Sequence, residues 1–220
     1  MKQARARDVE EGQNGEPMAR TDPTAGPRAP EPDDDQALVA CVQAGGPGAA
    51  DALEALLARY HRPLQQYLDR LLGDPEAAAD LVQETFLKMI GALPRYQPRA
   101  RFSTWLYTIA HRLALDFLRR RRREQRTSSL DDPARAGFEP ASPERPVAEI
   151  ALDRVTRDDI RAVLSRLSPE HRAVILLHYF EGFSYKEIAQ TVGCTVGTVG
   201  SRLHYALRAV RRELDLGETA

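Results

Sequence analysis

Apolar residues recur at helical spacing in two long parts of the chain, from residue 36 to about residue 123 and from 150 to 214. Residues three and four positions apart share one face of an α-helix, so this spacing is typical of amphipathic helices that bury one side. No stretch alternates apolar and polar residues for long enough to form a sheet. The pattern predicts an all-α fold with two helical domains, 36–126 and 150–214.

Segments without a helical period flank and join these domains. Residues 1–35 are rich in glycine, proline, arginine and acidic residues, and residues 127–149 contain four prolines among serines and acidic residues. Such compositions bury too little apolar surface to offset the entropy lost on ordering. We therefore expect a disordered tail at 1–35, a flexible, acidic, proline-rich linker at 127–149, and a short tail at 215–220.

The end of the second domain carries clear start and stop signals for short helices. Ser184 and Glu187 have the spacing of a capping box, Gly193 can form a tight left-handed turn, and Thr195 can cap the helix that follows. That last helix has one apolar stripe, formed by Val199, Leu203, Ala206 and Val210. The arrangement predicts a helix-turn-helix whose second helix leaves its other face for a ligand. A plain helical hairpin with a solvated arginine face remains the alternative.

Charge is strongly segregated, although 31 basic and 32 acidic residues give a net charge of only -1. Residues 101–126 contain eight basic and two acidic residues, with five consecutive arginines at 119–123. The segment 195–212 contains four arginines and no acidic residue. Basic faces confined to particular helices suit binding to a polyanion such as DNA. The arginine run alone is equally compatible with a solvated helix end.

Other classes of protein are disfavoured by what the chain contains. Cys41 and Cys194 are far apart and lack metal-ligand spacing, so we expect neither a disulfide scaffold nor a zinc site. The five histidines are scattered without a carboxylate motif, which argues against a metal-dependent nuclease. No apolar run is long enough to span a bilayer, and the N-terminus lacks the apolar core of a secretory signal. We expect a cytoplasmic protein without a cofactor.

Three segments, in order around the acidic linker, resemble parts of one family. They are AADLVQETFLKMI at 78–90, FSTWLYTIAHRLALDFLRR at 102–120, and LSPEHRAVILLHYFEGFSYKEIAQTVGCTVGTVGSRLHYAL at 167–207. Together they resemble bacterial RNA polymerase sigma factors of the extracytoplasmic-function (ECF) group. The resemblance implies that the first segment binds the clamp helices of the polymerase beta-prime subunit. It also implies that the second segment opens the promoter near minus-10 and that the third recognises duplex DNA at minus-35.

The resemblance implies three sets of binding residues. The set for core polymerase is Asp80, Gln83 and Glu84. The set for the minus-10 element is Arg95, Tyr96, Arg101, Phe102, Ser103, Thr104, Arg112, Arg119 and Arg120. The set for the minus-35 element is Thr195, Thr198, Ser201, Arg202, His204, Tyr205 and Arg208. Independently, helical spacing puts the first set on one polar face and places Val82, Phe86 and Met89 on another face that can enter the core.

Some positions depart from the family pattern. His111 and Arg112 stand where many members have Arg-Asn, Gly200 replaces a commonly basic residue, and Tyr205 stands where arginine is frequent. The promoter sequence therefore cannot be copied from relatives.

The resemblance implies a non-enzymatic transcription initiation factor. Its partners would be core RNA polymerase, through the beta-prime clamp helices and the beta subunit, promoter DNA and an anti-sigma factor. The alternative is a helix-turn-helix regulator that binds an operator without joining polymerase.

Overall fold

A computed structural model of the chain describes residues 32–128 and 157–217. Within these ranges the structure is helical and contains no strand, which confirms the predicted all-α class. Most of the predicted N-terminal tail and nearly all of the predicted linker lie outside the described residues. No helix in the described ranges is both long and apolar enough to cross a membrane.

Four helices form the N-terminal domain: α1, Pro32–Ala44; α2, Ala49–Leu72; α3, Pro75–Ala92; and α4, Phe102–Ser128. A short 3-10 turn, Leu93–Arg95, follows α3. Helix α2 ends at Gly73, which adopts a left-handed φ of 68° and donates its N–H to the carbonyl of Asp69. Helix α3 begins at once, because the Asp74 side chain accepts a hydrogen bond from the N–H of Ala77 at 3.1 Å.

Helix α1 begins at Pro32, inside the segment predicted as tail from its composition. The physical reason is a buried carboxylate. Asp35 is buried, accepts a hydrogen bond from Arg59 at 2.6 Å, and also binds the hydroxyl of Tyr60. These contacts join α1 to α2 and stabilise one more helical turn than the apolar pattern indicates.

The C-terminal domain contains α5, Arg157–Arg166; α6, Pro169–Ile175; α7, Tyr185–Val192; and α8, Val196–Gly217. Both hydrogen bonds of the predicted capping box between Ser184 and Glu187 are present. Gly193 has a φ of 72° and provides the left-handed turn between α7 and α8. Buried Val199, Leu203 and Ala206 hold α8 against the core. The predicted capping box and left-handed turn are thus confirmed, and Val210, the fourth residue of the predicted apolar stripe, is partly buried against the core.

The helix that begins at Pro169 changes its hydrogen-bond pattern after Ile175. A π-helical turn, Leu176–Phe180, follows, and the N–H of Glu181 bonds to the carbonyl of Leu176 at 3.2 Å. The apolar spacing of Val174, Leu177 and Phe180 gives no sign of this change. The wider turn brings the Glu181 side chain to the N-terminal domain, a contact that the apolar period does not encode.

The two domains pack against each other through α2 and α4 on one side and the C-terminal helices on the other. Tyr107 in α4 donates a hydrogen bond to Glu181, and its ring lies 5.1 Å from that of Phe183 between centroids. The guanidinium of Arg172 donates to the carbonyl of Leu71, near the end of α2, at 2.7 Å. This arrangement brings the start of α4 close to the helix-turn-helix.

Candidate polymerase-binding and DNA-binding surfaces

Helix α3 separates a polar outer face from an apolar inner face. Asp80 and Gln83 are exposed, and Glu84 is partly exposed with its carboxylate 3.4 Å from Lys88 Nζ. On the inner face Val82 and Met89 are buried and Phe86 packs against the core. This division places the three predicted polymerase-binding residues together on one surface.

Leu87 lies on the same outer face, and sequence reasoning did not single it out. It follows Gln83 by four residues and Glu84 by three, and it is 70% exposed. Ile90 is also exposed at the end of this helix. Large apolar side chains inside a polar face are typical of a protein–protein contact. The sequence feature that could have revealed Leu87 is its position: the helical period of α3 places this apolar residue on the solvent side.

The segment between the 3-10 turn and α4, residues 96–101, is named here the 96–101 loop. Arg95 precedes it, and Arg95, Gln97, Arg99 and Arg101 are exposed. The Tyr96 ring, in contrast, is buried against Trp105, with centroids 4.6 Å apart. The loop therefore presents polar and cationic side chains outward from an aromatic base.

Three predicted DNA-contact residues at the start of α4 are buried in this arrangement. Phe102 packs edge-on against Tyr60 at 5.5 Å between centroids, and Ser103 and Thr104 are also buried. Thr104 Oγ1 has no hydrogen-bond partner among the described residues. Trp105 is partly buried and packs against the hydrophobic core.

Farther along α4, the arginines of the predicted minus-10 set face solvent. Arg112, Arg119 and Arg120 are exposed. Arg119 is within 3.2 Å of Asp116, and Arg121 is within 3.2 Å of Asp74, so acidic neighbours partly balance the arginine run. Exposed ion pairs of this kind are weak and can give way to a phosphate.

The outer face of α8 carries the predicted minus-35 residues. Thr195 Oγ1 accepts a hydrogen bond from the Thr198 N–H at 3.1 Å, so this hydroxyl caps the helix. The remaining members are partly or fully exposed: Thr198, Ser201, Arg202, His204, Tyr205 and Arg208. A Cβ added at Gly200 would meet only Tyr185 at 4.0 Å, so packing does not require glycine there.

The contact between the domains pairs one predicted DNA-binding residue with an acidic group. Arg101 Nε lies 3.3 Å from Glu187 Oε1 in α7. Nearby, burial raises the pKa of Glu181 to about 7, although its bond to Tyr107 and the charge of Arg70 oppose the shift. The carboxyl groups of Glu181 and Glu187 in the C-terminal domain thus lie beside the start of α4.

His111 is the second titratable group at this contact. Burial, together with the charge of Arg202, lowers its pKa to about 4, while Glu170 acts in the opposite direction. Its Nδ1 lies 3.0 Å from the hydroxyl of Tyr67. A neutral imidazole that accepts this hydrogen bond fits the buried position.

Replacing His111 is expected to remove part of the acid sensitivity of folding. Because the folded pKa lies below the ordinary value of about 6.5, the unfolded chain binds the proton more tightly and stability falls as pH drops through that window. Between about pH 7 and about pH 5 the free energy of unfolding should fall by about 2 kcal/mol more in the wild type than in His111→Asn. Urea denaturation at several pH values measures the difference.

The comparison with His111→Asn is needed because the raised pKa of Glu181 makes the free energy of unfolding depend on pH in the opposite direction. Its contribution is present at low pH and is lost as pH rises through about 7. Both proteins contain Glu181, so the difference between them isolates the histidine. Parallel pH profiles for wild type and His111→Asn would show that His111 does not titrate in this way.

The structure defines a class of protein: a two-domain helical protein with a helix-turn-helix, exposed arginines on α4 and α8, and exposed apolar side chains on α3. Family models described as Sigma-70 region 2 and Sigma-70, region 4 match residues 56–124 and 157–210. No group of three or more histidine, cysteine or acidic side chains in the described part of the chain could hold a metal ion.

Relatives agree with both matches. The chain is 36% identical to the ECF RNA polymerase sigma factor SigE of Mycolicibacterium smegmatis, over 82% of this chain and 69% of that protein. It is 39% identical to the ECF sigma factor SigL of Mycobacterium tuberculosis, over 81% and 99%. The chain belongs to the ECF RNA polymerase sigma factors, which are transcription initiation factors rather than enzymes. The family indicated by the three sequence segments is thereby confirmed.

Solved structures of sigma factors share the fold. One is CnrH in complex with the cytosolic domain of CnrY, with a TM-score of 0.60 and 26% identity, covering 84% of this chain and 99% of that one. Another is the sigma factor RpoE of Bartonella quintana in complex with the anti-sigma factor NepR, with a TM-score of 0.58 and 26% identity, covering 74% and 96%.

Proposed function

We propose that α3 binds core RNA polymerase through Asp80, Gln83, Glu84 and Leu87. The observation that carries this assignment is the exposed Leu87 in the middle of a polar helix face. A central apolar anchor surrounded by polar groups gives a protein contact both binding energy and register. The beta-prime clamp helices are the partner that this face would take, and the beta subunit would contact the C-terminal domain.

Promoter DNA would bind to two other surfaces. The 96–101 loop would capture an unstacked base at minus-10, and Arg112, Arg119 and Arg120 would bind backbone phosphates. A captured base and neutralised phosphates offset the cost of unstacking the duplex. Helix α8 would lie in the major groove at minus-35, where hydroxyl and cationic side chains on its outer face can reach base edges.

DNA binding through Arg101 requires a change from the arrangement described above. Arg101 is paired with Glu187, and α7 lies beside the start of α4. In this proposal Glu187 would take the place of a DNA phosphate, and the ion pair would have to open before Arg101 could bind DNA. Separation of the two domains, placing α4 and α8 on different parts of the promoter, would release it.

An anti-sigma factor is a further proposed partner, and the cytoplasm is the proposed location. The two solved relatives are both bound to another protein, and one of those proteins is an anti-sigma factor. The exposed side chains of Leu87 and Ile90 on α3, and of Tyr179, Phe180 and Val196 in the C-terminal domain, are apolar positions at which such an inhibitor could dock.

Transcription in vitro tests the function directly. Purified factor is added to core polymerase and genomic fragments of its source organism, and start sites are mapped. We expect discrete start sites with shared upstream elements near minus-10 and minus-35 that appear only when the factor is present. A helix-turn-helix regulator would bind DNA but initiate nothing, and that outcome would contradict the proposal.

A further inference from the structure

One amide side chain of α1 holds the beginning of the 96–101 loop. Gln43 Nε2 donates hydrogen bonds to the carbonyl of Leu93 at 2.9 Å and to the carbonyl of Tyr96 at 2.8 Å. These carbonyls stand at the two ends of the 3-10 turn that follows α3. One NH₂ group thus donates to both ends of the turn and connects the turn to a helix about fifty residues earlier in the chain.

Tyr96 connects this anchored turn to the rest of the 96–101 loop. Its hydroxyl donates to the carbonyl of Ala100 at 3.0 Å, and its ring lies against Trp105 and Phe102. The backbone of Tyr96 fixes one end of the loop and its side chain fixes the other. A shift of the Tyr96 carbonyl would therefore move both ends relative to α4.

Between these two anchored ends, the loop residues Gln97 and Arg99 are held mainly by contacts with each other. Gln97 and Arg99 are exposed and make local contacts with each other, including the Arg99 N–H to the Gln97 carbonyl at 2.7 Å. Such a loop takes its conformation from its ends. Base capture demands placement to within a fraction of an ångström, because a displacement of about 1 Å can lose much of a binding geometry.

We propose that Gln43 is a positioning residue for promoter recognition, which holds the 96–101 loop in the conformation that selects the minus-10 base. This inference rests on the proposed minus-10 role of the loop. Gln43 lies on α1 and its two hydrogen bonds go to the turn that follows α3, so we expect its effect to be confined to the step that uses the 96–101 loop. Gln43 is an exposed residue of α1, so replacing its side chain opens no cavity in the core.

The test uses the full-length factor with core polymerase and the promoter mapped above. Gln43→Met keeps the length of the side chain and removes both donors, Gln43→Lys restores a donor of similar reach, and Gln36→Met is the matched control on the same exposed helix. Each protein is assayed on the mapped promoter and on templates with single base changes in the minus-10 element. Polymerase affinity and the unfolding midpoint are measured in parallel.

For Gln43→Met we expect initiation on the mapped promoter to fall about tenfold, the loss typical of one or two hydrogen bonds. We expect the preference for the correct minus-10 base over its substitutes to fall by a similar factor. Gln43→Lys should recover most of both, and Gln36→Met should match the wild type. Polymerase affinity should stay unchanged in all four proteins, whereas the unfolding midpoint of Gln43→Met should fall modestly, because both hydrogen bonds also exist in the free protein.

Unchanged base preference in Gln43→Met overturns the inference. So does an equal loss on every template, or a loss of polymerase affinity, because those results describe a general structural role. Wild-type factor that initiates at no promoter defeats the proposed function itself, and with it this inference. The two failures are therefore distinguished by the wild-type reaction alone.

Discussion

Reversing the charges of Asp80 and Glu84 is expected to lower the affinity for core polymerase by about a hundredfold or more. Losing two charged contacts at one docking face and creating two repulsive ones costs about 3 kcal/mol or more. Both side chains are at least partly exposed on α3, so the fold should be retained. Binding of labelled Asp80→Lys/Glu84→Lys factor to core polymerase, titrated at constant salt, measures the loss.

Two further variants separate charge from position. Asp51→Lys/Glu54→Lys changes the net charge equally on the exposed start of α2 and should bind within about threefold of wild type, since isolated surface charges contribute little. Leu87→Ala should weaken binding by about tenfold or more without altering the free energy of unfolding, because the side chain is 70% exposed in the free protein. Normal co-purification of the Asp80 and Glu84 double variant would refute the assigned face.

Replacing Arg172 by methionine is expected to reduce the free energy of unfolding by about 3–5 kcal/mol, because hydrogen bonds to a charged group contribute about 1.5–3 kcal/mol each and their loss leaves carbonyls without this donor. Arg172 is 8% exposed, and its guanidinium donates to three backbone carbonyls, those of Leu71 at 2.7 Å, Ser165 at 2.8 Å and Leu167 at 3.0 Å. Burial lowers the pKa of Arg172. Methionine fills similar space but leaves all three carbonyls without this donor.

Denaturation by urea, followed by helical circular dichroism, gives the change in unfolding free energy. Arg211→Met, an exposed position on α8, is the matched control and should change stability by less than about 0.5 kcal/mol. Arg172→Lys should recover part of the loss because an ammonium group still donates to one or two carbonyls. A loss below about 1 kcal/mol for Arg172→Met would show that these hydrogen bonds contribute little to the native state.

Replacing Arg172 should also weaken the packing of the two domains, because the hydrogen bond to the Leu71 carbonyl joins them. Leu71 belongs to α2, whereas the other two acceptors lie close to Arg172 in the C-terminal domain, so one side chain stabilises both the domain and its docking. Loss of the docking contact should also leave Glu181 closer to water. The substitution should therefore bring the pKa of Glu181 back toward its ordinary range, which a pH titration of stability can follow.

Local sequence signals were sufficient for the helix-turn-helix and for the two faces of α3. Ser184 and Glu187 form their capping box through bonds that span three residues, and Gly193 adopts its left-handed turn through its own backbone freedom. The inner face of α3 follows from apolar spacing alone, as buried Val82 and Met89 show. Each of these features depends on residues close together in the chain, so pattern reasoning reaches them.

Contacts between distant segments were beyond that reasoning. Asp35 extends α1 by binding Arg59 and Tyr60, Gln43 anchors a turn after α3, and Arg172 reaches a carbonyl of the other domain. A glutamine or arginine on an amphipathic helix has the same pattern whether it faces water or a backbone carbonyl. The sequence pattern also did not predict the π-helical turn before Glu181, because five residues of changed hydrogen bonding leave the apolar period nearly intact.

By itself the sequence determined the all-α class, the basic helices and the family, since these depend on local spacing, charge and recognisable segments. Only the tertiary structure decided that Leu87 stands exposed in the α3 face, that Gln43 spans the turn before the 96–101 loop, and that Glu187 pairs with Arg101. The physical reason is that burial and hydrogen-bond partners are properties of the folded packing, and polar side chains become specific only when a distant group meets them.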